Sequence, residues 1–352
     1  MAIDIAIIGM SCRFPMADSI QEYWNNLIKG VDCVRQVPSD RWDADAFYST
    51  DPGEQNKSYC RSIGAMDRID LFDNQFFRIS PREAAGMAPQ QRLLLQESWH
   101  CVEDSNIPLK KLQEKQTGVF IGSVALDSYR TSKMDIHTGT GLYYFMLANR
   151  ISYCLGLSGD SHTLDTGCSS SFVAMHSACQ SLLDHSCDYA LVGASNLHLS
   201  PRKYFMWSKA RMLSRTGKCH TFDRNADGYV SGEGIAVILL QPLDQAVRDR
   251  HRIYGVIKGC AVNHGGKGIS MTAPISGRKE MSFWMLTARR DFPRIPYPTW
   301  KRMAPVPPWE IPSRWKLWFR HSGNIRIKKG IAIWVPSKPI SDIWKAVLPW
   351  RA

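Results

Sequence analysis

One cysteine lies where a reactive thiol would form. Cys168 stands in the run Asp165-Thr166-Gly167-Cys168-Ser169-Ser170-Ser171. Residues 151–164 are apolar and rich in β-formers, and residues 169–183 repeat apolar side chains at helical spacing. This pattern predicts a strand-to-helix turn, with the sulfur near a helix N-terminus whose N–H groups and dipole favour the thiolate. Its small neighbours leave room for an acyl group, so the run predicts covalent catalysis at Cys168.

The other nine cysteines do not share this setting. Cys154, Cys179, Cys187 and Cys260 have the surroundings of small buried hydrophobes. The ten cysteines have no regular spacing and no CxxC pair, so they indicate neither a disulfide framework nor a zinc site. No stretch approaches the roughly 20 apolar residues that a membrane helix needs. We therefore expect a cytoplasmic protein with no metal and no membrane partner.

Residues 1–280 alternate short apolar runs with amphipathic stretches. The runs suited to buried strands are 5–8, 117–121, 189–192 and 235–240, and helical periodicity marks 19–27, 89–103 and 172–183. Alternation of this kind predicts an α/β domain with helices on both faces of a sheet.

Several motifs occur in a fixed order through this region: Ile5 to Pro15, Phe76 to Ala84, Pro89-Gln90-Gln91-Arg92, Ala148-Asn149-Arg150-Ile151-Ser152-Tyr153, the Cys168 run, Thr221-Phe222-Asp223 to Gly228-Tyr229, and Gly232-Glu233-Gly234. In this order the chain resembles the β-ketoacyl synthase (ketosynthase) domain of modular type I polyketide synthases. The resemblance runs from about Ile5 to Glu280, and we interpret residues 1–280 as the N-terminal region of such a domain, including its nucleophile.

The resemblance implies a thiolase-like fold of five layers, αβαβα, and a homodimer. Its N-terminal half is largely present here, and its C-terminal half is mostly missing. Cys168 would accept an acyl chain from the phosphopantetheine of an acyl carrier protein, and the chain itself would bind no cofactor. A carrier-bound malonyl-type extender would then lose carbon dioxide and condense with the acyl group in a Claisen reaction, with backbone N–H groups as the oxyanion hole.

The family's two histidines, in HGTGT and NIGH motifs after the cysteine, are missing. His137-Thr138-Gly139-Thr140-Gly141 precedes Cys168 and is interpreted as part of a glycine-rich loop, and His264 is interpreted as structural. Asp223-x-Asn225-x-Asp227-Gly228 imitates a calcium loop but has Gly234 where the twelfth-position glutamate should stand. Gly167 replaces the family's more frequent alanine. The resemblance thus supports one catalytic residue, Cys168, and predicts that condensation fails.

The chain changes character near Glu280. Residues 281–352 hold 14 lysines and arginines against 3 acidic residues, 8 of the 12 tryptophans, 10 of the 19 prolines and 2 of the 25 glycines. Frequent proline prevents a helix or a central strand. The tail therefore predicts an aberrant, poorly folded segment, and its charge forms no stripe or motif that would indicate nucleic-acid binding.

The genetic code offers a cause for this change. Read from the third base of each codon, residues 297–312 permit YMETHGTGTPLGDP, and residues 339–345 permit NIGHLE. Single-codon tryptophan and methionine fix three letters of the first string and the final Glu of the second, whatever the other codons are. We infer that the reading frame shifts near Glu280.

Two functions remain open from the sequence. One is a condensing enzyme by family, an acyltransferase of the 3-oxoacyl synthase type with an interrupted active site. The alternative is a non-catalytic truncated fragment, or at most a dimerisation partner, since loss of the second half would expose apolar faces.

The frame shift predicts the nucleotide sequence. Codons for HGTGT should lie out of frame between residues 297 and 312, and codons for NIGH in that same frame between 339 and 345. Sequencing the gene across the codon for Glu280 checks this. Codons that exclude both motifs would contradict the frame shift.

Overall fold

The computed structural model describes residues 4–124, 136–221, 223–264 and 266–267. The tail at 281–352, with its predicted change of frame, lies outside the described residues. No helix in the described part is long and apolar enough to cross a membrane.

The described residues form eight strands and nine helices. The strands are β1 (Ile5–Arg13), β2 (Arg35–Gln36), β3 (Ser62–Ile63), β4 (Thr117–Ser123), β5 (Ser161–Leu164), β6 (Tyr189–Asn196), β7 (Gly234–Pro242) and β8 (Gly255–Ile257). The helices are α1 (Ile20–Lys29), α2 (Pro81–Gly86), α3 (Pro89–Asp104), α4 (Leu109–Gln113), α5 (Ile136–Leu142), α6 (Met146–Leu155), α7 (Ser170–Leu183), α8 (Arg202–Lys209) and α9 (Leu243–Arg248).

Six strands form one mixed sheet in the order β5-β4-β6-β7-β1-β8. β4 pairs in parallel with both β5 and β6, whereas β7 is antiparallel to β6 and to β1. The carboxyl ends of β4, β5 and β6 therefore meet at one edge of the sheet. That edge is where the segment containing Cys168 begins.

Helices cover both faces of this sheet, as the alternating pattern predicts. α3 and α6 bury the larger apolar cluster on one face, around Leu94, Ile121 and Val237. α7 packs on the other face against β4 and β6, where Ala174, Ala178 and Leu182 meet Phe120 and Val192 in a second cluster.

The predicted runs are confirmed as strands and helices, with extended bounds, but two local predictions are wrong. Residues 151–155 end α6 rather than starting a strand, because Gly156, at φ +67°, terminates that helix in the left-handed region. Within the run 151–164, the strand is limited to Ser161–Leu164. The glycine-rich segment at 137–141 is helical and lies within α5.

α7 approaches the sheet unusually closely because β4 carries a glycine at the contact. A Cβ built on Gly122 would lie 2.4 Å from the carbonyl carbon and oxygen of Ser170 and 2.6 Å from the amide nitrogen of Ser171. All three are backbone atoms of the first turn of α7. The helix N-terminus therefore packs directly on the β4 backbone. This close approach is possible because Gly122 has no side chain.

A buried ion pair ties the segment before β3 to the start of β7. The side chains of Arg41 and Glu233 are 4% and 0% exposed, with Arg41 Nη2 3.2 Å from Glu233 Oε2. Glu233 also accepts hydrogen bonds from the backbone N–H groups of Met66 and His198, both at 2.9 Å. One carboxylate therefore joins four separate segments of the chain.

We predict that Gly122→Ala destabilises the fold by about 1–3 kcal/mol, because the new methyl group meets backbone that no rotamer change can move. Denaturant unfolding measures the change in the free energy of unfolding. Gly255→Ala in β8 is the matched control, since no atom lies within 4 Å of its added Cβ. We expect the control to be neutral or stabilising by up to about 1 kcal/mol, and an equal loss in both variants would contradict the packing argument.

We predict that Glu233→Ala costs about 3–5 kcal/mol, because it leaves the buried Arg41 charge and two backbone donors without their acceptor. Asp40 contacts the same guanidinium but is 67% exposed, so Asp40→Ala should change the stability by no more than about 1 kcal/mol. Urea titration of both variants tests this contrast. A loss below about 1 kcal/mol in Glu233→Ala would show that the pair is not structural.

Candidate active site

Cys168 lies in a short turn between β5 and α7, as the sequence predicts. β5 ends at Leu164 and α7 begins at Ser170, and residues 165–169 between them are exposed. Gly167 has φ +65°, a left-handed conformation that glycine adopts without the steric cost of a Cβ. The glycine that departs from the family's alanine is thus matched to the shape of this turn.

Four hydrogen bonds hold the turn in shape. Asp165 Oδ1 accepts from the Gly167 N–H at 2.9 Å, and Ser169 Oγ donates to the Thr166 carbonyl oxygen at 2.9 Å. The Ser170 hydroxyl accepts from the Thr166 N–H at 2.9 Å and donates to the Gly167 carbonyl oxygen at 2.6 Å. The peptide groups on both sides of Gly167 are therefore fixed.

Tyr144 supports the strand that leads into the turn. Its hydroxyl lies 2.8 Å from the carbonyl oxygen of Leu164, the last residue of β5, and also contacts the carbonyl oxygen of Ser123, the last residue of β4. Burial and then the nearby charge of Asp165 raise the pKa of Tyr144. The hydroxyl therefore stays protonated, and its single proton lies within reach of the carbonyl oxygens at the carboxyl ends of both strands.

Cys168 and Cys219 are the exposed thiols among the ten. Burial raises the thiol pKa of each of the others, which disfavours their reactive thiolate forms: Cys12, Cys33, Cys60, Cys101, Cys154, Cys179, Cys187 and Cys260. Cys179 and Cys187 are buried as predicted, whereas Cys154 and Cys260 are half-buried. The next described helix after Cys219 is α9, which begins at Leu243, and the Cys219 Sγ accepts a hydrogen bond from the Val230 N–H at 3.1 Å.

Tyr229 is a neighbour of Cys168 that residue spacing alone did not identify. Burial, then the interaction with Cys168, and then the interaction with Tyr59 raise the pKa of Tyr229. Its ring packs edge-on against Trp207, with centroids 5.9 Å apart. Burial therefore keeps this phenol protonated, and it lies close enough to Cys168 for the two groups to interact electrostatically.

The described histidines do not form a catalytic pair with Cys168. Among the side chains that the structure describes, which exclude that of His137, no hydrogen bond joins a histidine to the cysteine. His198 is buried, and its Nε2 lies 2.8 Å from Ser231 Oγ. Burial, with Lys203 and Arg41 adding to it, lowers the pKa of His198 to about 3, so this imidazole is neutral. His264 is exposed and accepts from the Gly266 N–H through Nδ1 at 2.9 Å.

Asp227, from the segment that imitates a calcium loop, shapes a neighbouring turn instead. Its carboxylate accepts from the Ser214 hydroxyl at 2.7 Å and from the backbone N–H groups of Arg215 and Thr216 at 2.8 and 3.3 Å. Asp223 accepts from the Asn225 N–H at 2.8 Å. These oxygens stabilise local backbone between Ser214 and Tyr229.

Comparison with known sequences gives a consistent result. The chain is 43% identical over 276 residues to a phenolphthiocerol/phthiocerol polyketide synthase of Mycobacterium tuberculosis, covering 77% of this chain and 15% of that protein. It is 41% identical over 282 residues to the polyketide synthase PksL of Bacillus subtilis, covering 77% of this chain and 6% of that protein. The chain thus spans a small part of the length of these relatives.

Two solved structures that match this chain are ketosynthase domains. The ketosynthase from module 6 of the bacillaene synthase of Bacillus subtilis 168 matches with a TM-score of 0.73 and 37% identity, over 81% of this chain and 48% of that one. The oxazolomycin ketosynthase domain OzmH KS7 of Streptomyces albus JA3453 matches with a TM-score of 0.77 and 37% identity, over 82% and 50%. The chain therefore spans about half of a ketosynthase domain, and its fold is thiolase-like.

The family model described as the N-terminal domain of β-ketoacyl synthase matches residues 2–246. This range includes five of the six strands of the sheet, all but β8, together with both helical layers and the turn at Cys168. The chain therefore belongs to the β-ketoacyl synthase family, and it is similar to part of the ketosynthase domains of polyketide synthases.

Proposed function

We propose that Cys168 is the nucleophile that accepts the acyl group in this ketosynthase. The observation that carries the proposal is its setting. It is an exposed thiol at a braced turn before a 14-residue helix. Eight of the other thiols are held in the protonated form by burial, and Cys219 lacks the helix N-terminus. A thiolate at such a turn is the group that covalent acyl transfer requires.

The proposed step is a thioester exchange. The Cys168 sulfur attacks the carbonyl carbon of an acyl thioester on the phosphopantetheine of an acyl carrier protein. A carbon–sulfur bond forms at Cys168 as the bond to the carrier sulfur breaks, and the carrier thiolate takes up the proton that the cysteine lost. The polyketide synthase relatives support a carrier protein as the donor.

We infer that the second half-reaction fails in the chain as written. Condensation requires a malonyl-type extender to lose carbon dioxide and its carbanion to attack the acyl carbonyl, with Cys168 leaving as a thiolate. The family places two histidines at this step. Of the described histidines, His198 is buried against Ser231, His264 lies in an exposed turn, and none is hydrogen-bonded to Cys168.

One observation favours the non-catalytic alternative, a dimerisation partner. β5 lies at the edge of the six-stranded sheet and pairs with β4 alone among the described strands. An unpaired strand edge is a template for pairing with a second chain, which also supports the homodimer implied by the family. Acyl transfer to Cys168 distinguishes the two functions, because a dimerisation partner has no need of it.

We predict that the purified full chain, incubated with an acyl thioester such as an acyl-N-acetylcysteamine, gains one acyl mass. Intact-protein mass spectrometry measures the gain, and peptide mapping should place it on Cys168. Cys168→Ala should abolish the adduct, and Cys219→Ala, which removes the other exposed thiol, should leave it unchanged.

A chain that unfolds cooperatively but forms no adduct would rule out acyl acceptance and leave the dimerisation partner. Addition of a malonyl thioester to the acylated chain tests the second half-reaction. We expect no condensation product, and a product dependent on Cys168 would contradict the inferred inactivity.

A further inference from the structure

Three consecutive serines follow Cys168, and the structure gives each a different environment. Ser169 is exposed, Ser170 is 3% exposed, and Ser171 is half-buried. The Ser169 hydroxyl bonds to the Thr166 carbonyl oxygen and lies 2.9 Å from Thr166 Oγ1. The Ser171 hydroxyl makes no hydrogen bond with any residue that the structure describes. The sequence alone does not distinguish them.

The Ser170 hydroxyl connects two peptide groups that precede Cys168, one between Asp165 and Thr166 and the other between Gly167 and Cys168. A serine hydroxyl has one proton to donate and lone pairs to accept with. Here it accepts from the Thr166 N–H and donates to the Gly167 carbonyl oxygen. That carbonyl belongs to the peptide bond between Gly167 and Cys168, so its orientation sets the direction in which the cysteine leaves the turn.

Ser170 is also the buried member of this turn. Residues 165–169 are exposed, and no atom lies within 4 Å of a Cβ built on Gly167, so packing does little to hold them. Ser170 is held by its close backbone contact with Gly122 in β4. Its two hydrogen bonds therefore transmit the rigid position of the sheet to a turn that is otherwise open to solvent.

Burial makes these bonds hard to replace. Water can take over the bonds of the exposed Ser169 if its hydroxyl is removed. At Ser170 the hydroxyl itself is buried, so water does not readily replace it. Its deletion leaves the Thr166 N–H without its acceptor, and it leaves the Gly167 carbonyl oxygen with the Ser170 backbone N–H, at 3.1 Å, as its donor. We therefore expect Ser170 to control the geometry of the turn and Ser169 to contribute little.

We propose that Ser170 is a positioning residue that holds the Cys168 sulfur in the geometry for attack on an acyl thioester. The proposal rests on the acyl-accepting role of Cys168. Attack on a carbonyl carbon depends on the direction of approach, and small misplacements of a reacting group lower such rates by up to about 100-fold. Alkylation by a small reagent such as iodoacetamide tolerates a broader range of approach at an exposed thiol.

The test compares two reactions of the same sulfur in Ser170→Ala. We expect the first-order rate constant for acylation by acyl-N-acetylcysteamine to fall by about 10-fold or more, with little change in the thioester concentration that gives half-saturation. Alkylation of Cys168 by iodoacetamide should stay within about twofold of the unsubstituted chain. Peptide mapping quantifies Cys168, with the exposed Cys219 as an internal reference. Ser171→Ala is the matched control and should acylate within about twofold of the unsubstituted chain.

Each outcome decides the proposal. Ser170→Ala acylating at the unsubstituted rate overturns it while the role of Cys168 stands, and an equal fall in acylation and alkylation overturns it in favour of a purely structural role. If the unsubstituted chain alkylates at Cys168 but never acylates, the proposed function fails. Amide hydrogen exchange at Thr166 then decides whether the Ser170 hydroxyl holds the turn in place. If the Thr166 amide exchanges at least about 10-fold faster in Ser170→Ala than in Ser171→Ala, the Ser170 hydroxyl holds the turn. Equal exchange rates in the two variants would overturn that role.

Discussion

The contact between Gly122 and the first turn of α7 is the constraint on which the site depends. A helix normally rests on a sheet through side chains, which leaves its height and tilt adjustable. Here the β4 backbone meets the backbone of Ser170 and Ser171, at distances that exclude even a methyl group. The end of α7 is consequently fixed by backbone against backbone, and the turn that precedes it inherits that rigidity.

Other contacts hold the carboxyl ends of β4, β5 and β6 close to this turn. Tyr144 joins the last carbonyl groups of β4 and β5, and β6 lies on the other side of β4 in parallel register. Further away, Glu233 and Arg41 connect the start of β7 to the segment that precedes β3. The charges of this pair are almost fully buried, so it tolerates little movement of the segments that it joins. Contacts outside the turn, at Tyr144 and at the Arg41–Glu233 pair, therefore help to keep the strands around the turn fixed.

Sequence patterns predicted the strand-to-helix turn and the exceptional setting of Cys168, because both depend on local periodicity. They missed the length of β5, since the apolar run at 151–164 contains the end of α6 and only Gly156 marks the break. They missed Tyr229 as a neighbour of the thiol, because 61 positions separate the two residues in the chain. The different roles of Ser169, Ser170 and Ser171 were also invisible, since burial by β4 separates three identical residues.

The contacts described above that shape the turn come from a limited part of the chain. Gly122, Tyr144, Asp165 and Ser170 lie between β4 and the start of α7, and each precedes the change in composition near Glu280. Accepting an acyl group needs a positioned sulfur, whereas decarboxylation and condensation also need groups that stabilise an enolate. The first requirement is local to this part of the fold, and the second is not. On the proposed role of Cys168, a lesion after Glu280 would therefore separate the two half-reactions. It would leave the turn that holds the thiol in place, and it would remove the histidines that the resemblance to the family places after the cysteine.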